Sequence, residues 1–119
     1  MGSESTRGAR RLGLMPGTLD MLILNVLRAG RLHGQGIVRA IELTSEEALR
    51  IDHGSLYPAL QRLQQQGWVV AEWGISSNNR KARFYSLTRA GRRQLLAESS
   101  RWERLTRAIA LVMEPRSQE

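Results

Sequence analysis

The 119-residue chain has no cysteine, which excludes disulfide scaffolds, thiolate metal centres and cysteine nucleophiles. Its two histidines leave little from which to build a metal site, and neither a metal nor a cofactor is expected. No glycine-rich phosphate loop or paired-carboxylate site is visible. Asp52, His53 and Ser55 are too close together to form a relay without a third supporting element, so an enzyme is not expected. Long apolar runs are also lacking. The longest, Leu19 to Leu27, is broken by Asp20 and Asn25 and falls far short of the ~20 residues that span a bilayer. The first residues are basic but lack an apolar signal core. Met1, Gly2 and Thr6 fit only the loose myristoylation pattern that many unrelated starts share. A cytoplasmic protein with no membrane partner is the expectation. The length suits one compact domain. So small a domain buries a modest share of its surface, which makes a partner subunit plausible from the start.

Acid is scarcer than base. Eighteen basic against eleven acidic residues give a net charge of +7, and Lys81 is the one lysine among them. The excess is uneven. Met1–Gly30 nets +2, Arg31–Gly67 nets zero, Trp68–Thr88 nets +2 and Arg89–Glu119 nets +3. It therefore gathers in the amino-terminal arm, around Arg80, Lys81 and Arg83, and along the last segment. Two readings fit: a solvated surface kept soluble by arginine, or a face for an anionic partner such as nucleic acid.

Residues 1–14, rich in Gly, Ser and Arg, read as a flexible basic arm. Thr18 is a fair cap for a first helix, whose apolar residues Leu19, Leu22, Ile23, Val26 and Leu27 recur at three-four spacing up to Gly30. A second helix fits Gln35 to Leu43, and Leu49-Arg50-Ile51 has the composition of a short strand. Pro58 belongs in a first helical turn, so a third helix should start near Ser55, with Leu56, Leu60 and Leu63 facing inward and Gly67 ending it. Trp68–Trp73 and Ala82–Leu87 are strand-like runs, joined by turn residues with a basic tip. Trp68 and Trp73 read most simply as hairpin and core residues. Thr88 caps a last helix to Met113, followed by a tail over 114–119. Leu95, Trp102 and Ile109 recur every seven residues, with Leu105 and Val112 as companions and Glu98 as an interruption. The fold class expected is mainly α with a small β-hairpin: a winged helix-turn-helix over 15–87 and a long dimerisation helix over 88–113.

Several blocks carry a family resemblance. Gly17-Thr18-Leu19-Asp20-Met21-Leu22-Ile23-Leu24, Leu32-His33-Gly34, Gly54-Ser55-Leu56-Tyr57-Pro58-Ala59-Leu60, Arg83-Phe84-Tyr85-Ser86-Leu87-Thr88 and Ala90-Gly91 resemble the PadR family of bacterial transcriptional regulators, in its short form with one carboxy-terminal helix. The resemblance implies a homodimeric repressor that binds double-stranded DNA at a promoter inverted repeat, often under ligand control. Where the family commonly has Tyr after His-Gly, this chain has Gln35, which can still donate a hydrogen bond to phosphate.

On this frame the third helix enters the major groove and the hairpin tip reaches phosphates. Ser55 is a helix cap, a phosphate contact, or both. Tyr57 lies off the apolar stripe and is expected to face DNA. Gln61 and Arg62 are the candidates for reading base edges. Asn79, Arg80 and Lys81 at the hairpin tip are the phosphate-directed set. His33 and His53, each beside a glycine at a helix entrance, read as capping or packed residues. The dimer seam is expected to hold Leu95, Trp102, Leu105, Ile109 and Val112, with Leu22 of the first helix taking part. Trp102 also matches a tryptophan with which multidrug-sensing members of the family sandwich a flat aromatic ligand. It either fills the dimer core or stacks on a small aromatic effector. A winged-helix module that binds protein rather than DNA is the alternative, since Arg31–Gly67 carries no net charge.

Overall fold

The computed structural model describes Leu14 and residues 17–115. The expected arm, apart from Leu14, and the end of the expected tail lie outside the described residues. The apolar spacing of the first segment produces helix α1, Thr18–Val26, which buries Leu19, Ile23 and Leu24. A 3-10 turn, Leu27–Ala29, prolongs it. Thr18 is not the cap. Gly17 takes that position at φ 90°, a left-handed conformation that costs glycine little, and no side chain closes the helix end.

Strand β1 is only Leu32–His33 and runs directly into α2, Gly34–Thr44. His33 is indeed a cap: its Nδ1 accepts from the Gly36 N–H at 3.1 Å. The strand expected at Leu49–Ile51 is reduced to a single β-bridge residue, Leu49. At its far end a side chain claims the backbone, because the Ile51 N–H donates to Glu42 Oε2 at 3.1 Å and Arg50 pairs with the same carboxylate. Ile51 still reaches the core.

Helix α3 spans His53–Gln65, two residues earlier than expected from Pro58. The proline thus sits in the second turn, where the missing N–H leaves the Gly54 carbonyl without its helical donor. Strands β2, Val69–Ile75, and β3, Lys81–Leu87, form the hairpin. Strand β1 pairs antiparallel with the other side of β3, giving a three-stranded sheet in the order β1-β3-β2. The strands extend further toward the tip than the composition implied, and the turn is confined to residues 76–80.

Helix α4, Arg89–Met113, is capped by Thr88, whose hydroxyl accepts from the Gly91 N–H at 3.0 Å. That hydroxyl donates in turn to the Gly67 carbonyl at 2.7 Å, tying the helix entrance to the end of α3. The core lies where the three short helices meet the base of the sheet. Ile23, Leu24, Leu27, Ile37, Leu56, Leu60, Leu63 and Val69 are fully enclosed. Each contributes about 1.5–3 kcal/mol by leaving water. Only the first part of α4 joins this core, through Gly91 and Leu95. Leu95, expected in an open seam, is therefore packed within the chain's own core. From Arg101 onward every described residue is exposed.

Candidate nucleic-acid interface

The exposed edge that bears the expected contact residues begins at the entrance of α3. Asp52, not Ser55, closes this helix, its Oδ1 accepting from the Ser55 N–H at 2.9 Å. The Ser55 hydroxyl is exposed and has no capping role. Tyr57 follows on the outer face, about half exposed. Its hydroxyl lies close over the start of α2, so a methyl group added at Gly34 would sit 2.5 Å from Oη. Gln35, also at the start of α2, meets His53 Nε2 through Oε1 at 3.2 Å. Asp52 is thus engaged as the cap of α3 and His53 is held by Gln35 of α2, which leaves the Ser55 hydroxyl as the free group of the three.

Gln61 is exposed on the same outer face as Tyr57. Arg62 is paired within the chain. Its Nη2 donates to Asp20 Oδ1 at 2.7 Å and its Nε to Asp20 Oδ2 at 3.3 Å, a two-pronged pair that fastens α3 to α1. The hydrogen bond and charge of Asp20 hold the guanidinium above its ordinary pKa. Arg62 thus also serves as a strut between helices, with its side chain still about half exposed.

The wing faces this edge across a groove of about 490 Å³, lined among others by Gln35, Tyr57, Asn78, Arg80 and Arg83. Its tip is a tight turn. The Ser76 N–H donates to the Arg80 carbonyl at 2.8 Å and the Asn79 N–H to the Ser76 carbonyl at 2.9 Å. Asn79 takes φ 57°, a left-handed position that asparagine tolerates, so it shapes the tip as well as standing exposed on it. Lys81 belongs to β3 rather than to the turn, two positions from Arg83 on the same face.

Two residues here were not among the expected DNA contacts. Arg83 lines both this groove and a second hollow of about 470 Å³ beside Gln61, Gln64 and Tyr85. Strand alternation places it on the face of Tyr85, whose phenol is pushed up in pKa by burial, with the Arg83 charge opposing. Trp73, taken for a hairpin and core residue, is exposed on that same face opposite Arg83. Alternation from Tyr85 was the available signal for both.

A separate cleft of about 410 Å³ lies between α1 and α4, walled by Asp20, Met21, Trp68, Glu98, Trp102 and Leu105. Glu98, the break in the heptad pattern, is held within its helix by Gln94 at 2.7 Å and Arg101 at 2.8 Å. Trp102, Leu105, Ile109 and Val112 form an open stripe below it, while Leu22 of α1 is half-buried against the core. No helix among the described residues is long and apolar enough to cross a membrane.

Known proteins share this architecture. The sequence profile of the transcriptional regulator PadR-like family matches residues 23–97. A transcriptional regulator of Mycobacterium tuberculosis is 31% identical over 87 residues, covering 73% of this chain and 78% of that protein. The crystal structure of a PadR family transcriptional regulator from Eggerthella lenta superimposes with a TM-score of 0.68 at 26% identity, covering 95% of this chain and 92% of the other. The negative transcriptional regulator PadR of Bacillus subtilis is 27% identical over 77 residues, 65% of this chain and 42% of that protein. Its structure in complex with operator DNA matches with a TM-score of 0.59 at 26% identity, over 66% of this chain and 46% of the other.

Proposed function

The chain belongs to the PadR-like family of transcriptional regulators, and from that premise we propose that it is a homodimeric repressor of transcription that binds an inverted repeat in duplex DNA. The observation that carries this reading is the single concave edge formed by the exposed first turns of α3, the start of α2 and the cationic wing. A helix bearing Ser55, Tyr57 and Gln61 can enter a major groove while Arg80, Lys81 and Arg83 meet phosphates beside it. Gln35 supports the same phosphates from the start of α2. The exposed stripe on α4 supplies the pairing surface, and pairing sets two such edges on one face of the duplex. Repression is favoured by the name of the Bacillus subtilis relative, a negative transcriptional regulator.

Ligand control is part of the proposal. The cleft beside Trp102 has an apolar wall in Met21, Trp68 and Leu105 and carboxylates in Asp20 and Glu98, which suits a small planar aromatic effector. Closing the dimer over it would hold such a molecule against the indole.

Selection from a random duplex pool tests the reading. Half-sites centred about one helical turn apart are expected, and affinity for them should fall steeply as salt rises. Planar aromatic compounds that quench Trp102 in a Trp68→Phe, Trp73→Phe background should release the duplex. A pool with no enriched motif overturns DNA reading and favours a protein-binding module.

A further inference from the structure

The outer half of the wing does not have the surface that phosphate contact alone requires. In the β2–β3 register Val69 faces Leu87, Ala71 faces Tyr85, Trp73 faces Arg83 and Ile75 faces Lys81. These residues share one side of the hairpin. At its base this side is core, where Val69 and Tyr85 are buried. Toward the tip it leaves the domain, yet it stays apolar along β2: Trp73 is 61% exposed and Ile75 62%. Along β3 it turns cationic. Lys81 Nζ lies 5.4 Å and the Arg83 guanidinium 5.7 Å from the centre of the Trp73 ring, within cation–π range.

The hairpin's two sides differ in charge. The acid of β2, Glu72, is on the opposite side, where Arg31 pairs with it at 3.1 Å and also covers Phe84 at 4.4 Å. The Trp73 side therefore presents two apolar side chains and two cations with no acid among its cross-strand pairs. A sheet surface of this kind has a strong apolar component but repels basic partners. It fits a polymer whose backbone alternates anionic and apolar groups. Duplex DNA is one, with phosphates along the groove rims and deoxyribose faces lining the minor groove.

Position agrees with composition. Tyr85 lies under α3, in the hollow shared with Gln61 and Gln64. At about 3.4 Å per strand residue, Arg83 with Trp73 stands roughly 7 Å beyond it and Lys81 with Ile75 roughly 14 Å. With α3 in a major groove, that reach ends at the flanking minor groove.

Resting on the duplex-binding reading above, we propose that Trp73 and Ile75 form an apolar rib on the wing that seats on the sugar faces of the flanking minor groove, while Lys81 and Arg83 take the phosphates on its rims. The rib makes part of the wing's grip insensitive to salt, because burying apolar surface releases no counterions. It also gives the wing a preference for groove width, which phosphate contacts alone lack.

The test compares affinities for one selected duplex across a salt series. Trp73→Ala and Ile75→Ala should each weaken binding, Trp73→Ala by about tenfold, the size of an aromatic anchor. The slope of affinity against salt should stay at the wild-type value for both. Arg83→Ala should instead lower that slope by about one. Both rib residues are exposed, so the variants should melt as the wild type does. As a second readout, duplex should shield wild-type tryptophan emission from acrylamide, and Trp73→Phe should lose that increment. Wild-type affinity in Trp73→Ala, or a loss accompanied by a changed salt slope, overturns the rib while leaving duplex binding intact. Failure of the wild-type protein to bind any duplex overturns the parent reading instead.

Discussion

Gly34 and Gly91 both lie in the first turn of a helix, yet they are glycine for different reasons. A methyl group at Gly91 would run into the backbone carbonyl of Trp68, with Leu87 Cδ2 only 3.0 Å away. Backbone cannot step aside there, because the same region holds the hydrogen bond from the Thr88 N–H to the Trp68 carbonyl. Gly91→Ala is expected to destabilise the fold by about 1–3 kcal/mol, the ordinary cost of overpacking, visible as a lowered melting temperature. At Gly34 the methyl would meet only the far end of Tyr57, a half-exposed side chain that can swing outward. Gly34→Ala should therefore melt close to the wild type. It should still weaken duplex binding by about tenfold, the worth of one charge-assisted hydrogen bond, because Tyr57 is displaced from the reading edge. Equal affinity in thermal-stability-matched samples would remove Tyr57 from the interface. At this scale the sequence was legible in part. The exposure of Tyr57 followed from its place off the Leu56-Leu60-Leu63 stripe. The commitment of Arg62 to Asp20 did not, since a pair 42 positions apart leaves no local trace.

The elements were more legible than the contacts between them. Helices α1, α2 and α4 lie within a few residues of where apolar spacing, the Gly30 stop and the Thr88 cap put them, because those signals act within one or two turns. Helix α3 began earlier than Pro58 implied, since Asp52 takes the cap and two more residues wind ahead of the proline. Asp52→Ala is accordingly expected to cost about 1 kcal/mol of stability, while Ser55→Ala should leave stability unchanged and lower duplex affinity. Chemical denaturation of the two variants checks this directly, and the reverse order would return the cap to Ser55. Strand β1 went unread because two residues carry no periodicity. Its existence depends on β3, through Leu32 opposite Tyr85 and His33 opposite Phe84, and on the His33 ring resting edge-on against Phe84 at 5.4 Å. Trp73 was misread for a related reason. Composition identifies a strand, but only register tells which part of that strand outruns the core.

At the scale of the whole molecule, α4 divides into two parts with different tasks. Its 25 residues extend roughly 37 Å, in a protomer whose longest dimension is 59 Å. The first two turns are anchored by Gly91 and Leu95. Beyond Arg101 the helix has no cover of its own, although Leu105, Ile109, Leu111, Val112 and Met113 are all exposed there. A stripe of that size is unfavourable in water unless a second surface covers it. A twin helix fits, because the exposed positions Trp102, Leu105, Ile109 and Val112 keep the spacing of a paired seam. The two parts should respond differently to the same chemical change. Leu95→Glu buries a charge inside the protomer and should abolish cooperative folding. Leu105→Glu places the charge on the open stripe, so the protomer should fold normally and sediment as a monomer. A monomer carries one reading edge rather than two, so its affinity for an inverted repeat should drop towards that for a single half-site. If Leu105→Glu sediments as a dimer, pairing lies elsewhere, and the exposed turns of α4 must serve another partner.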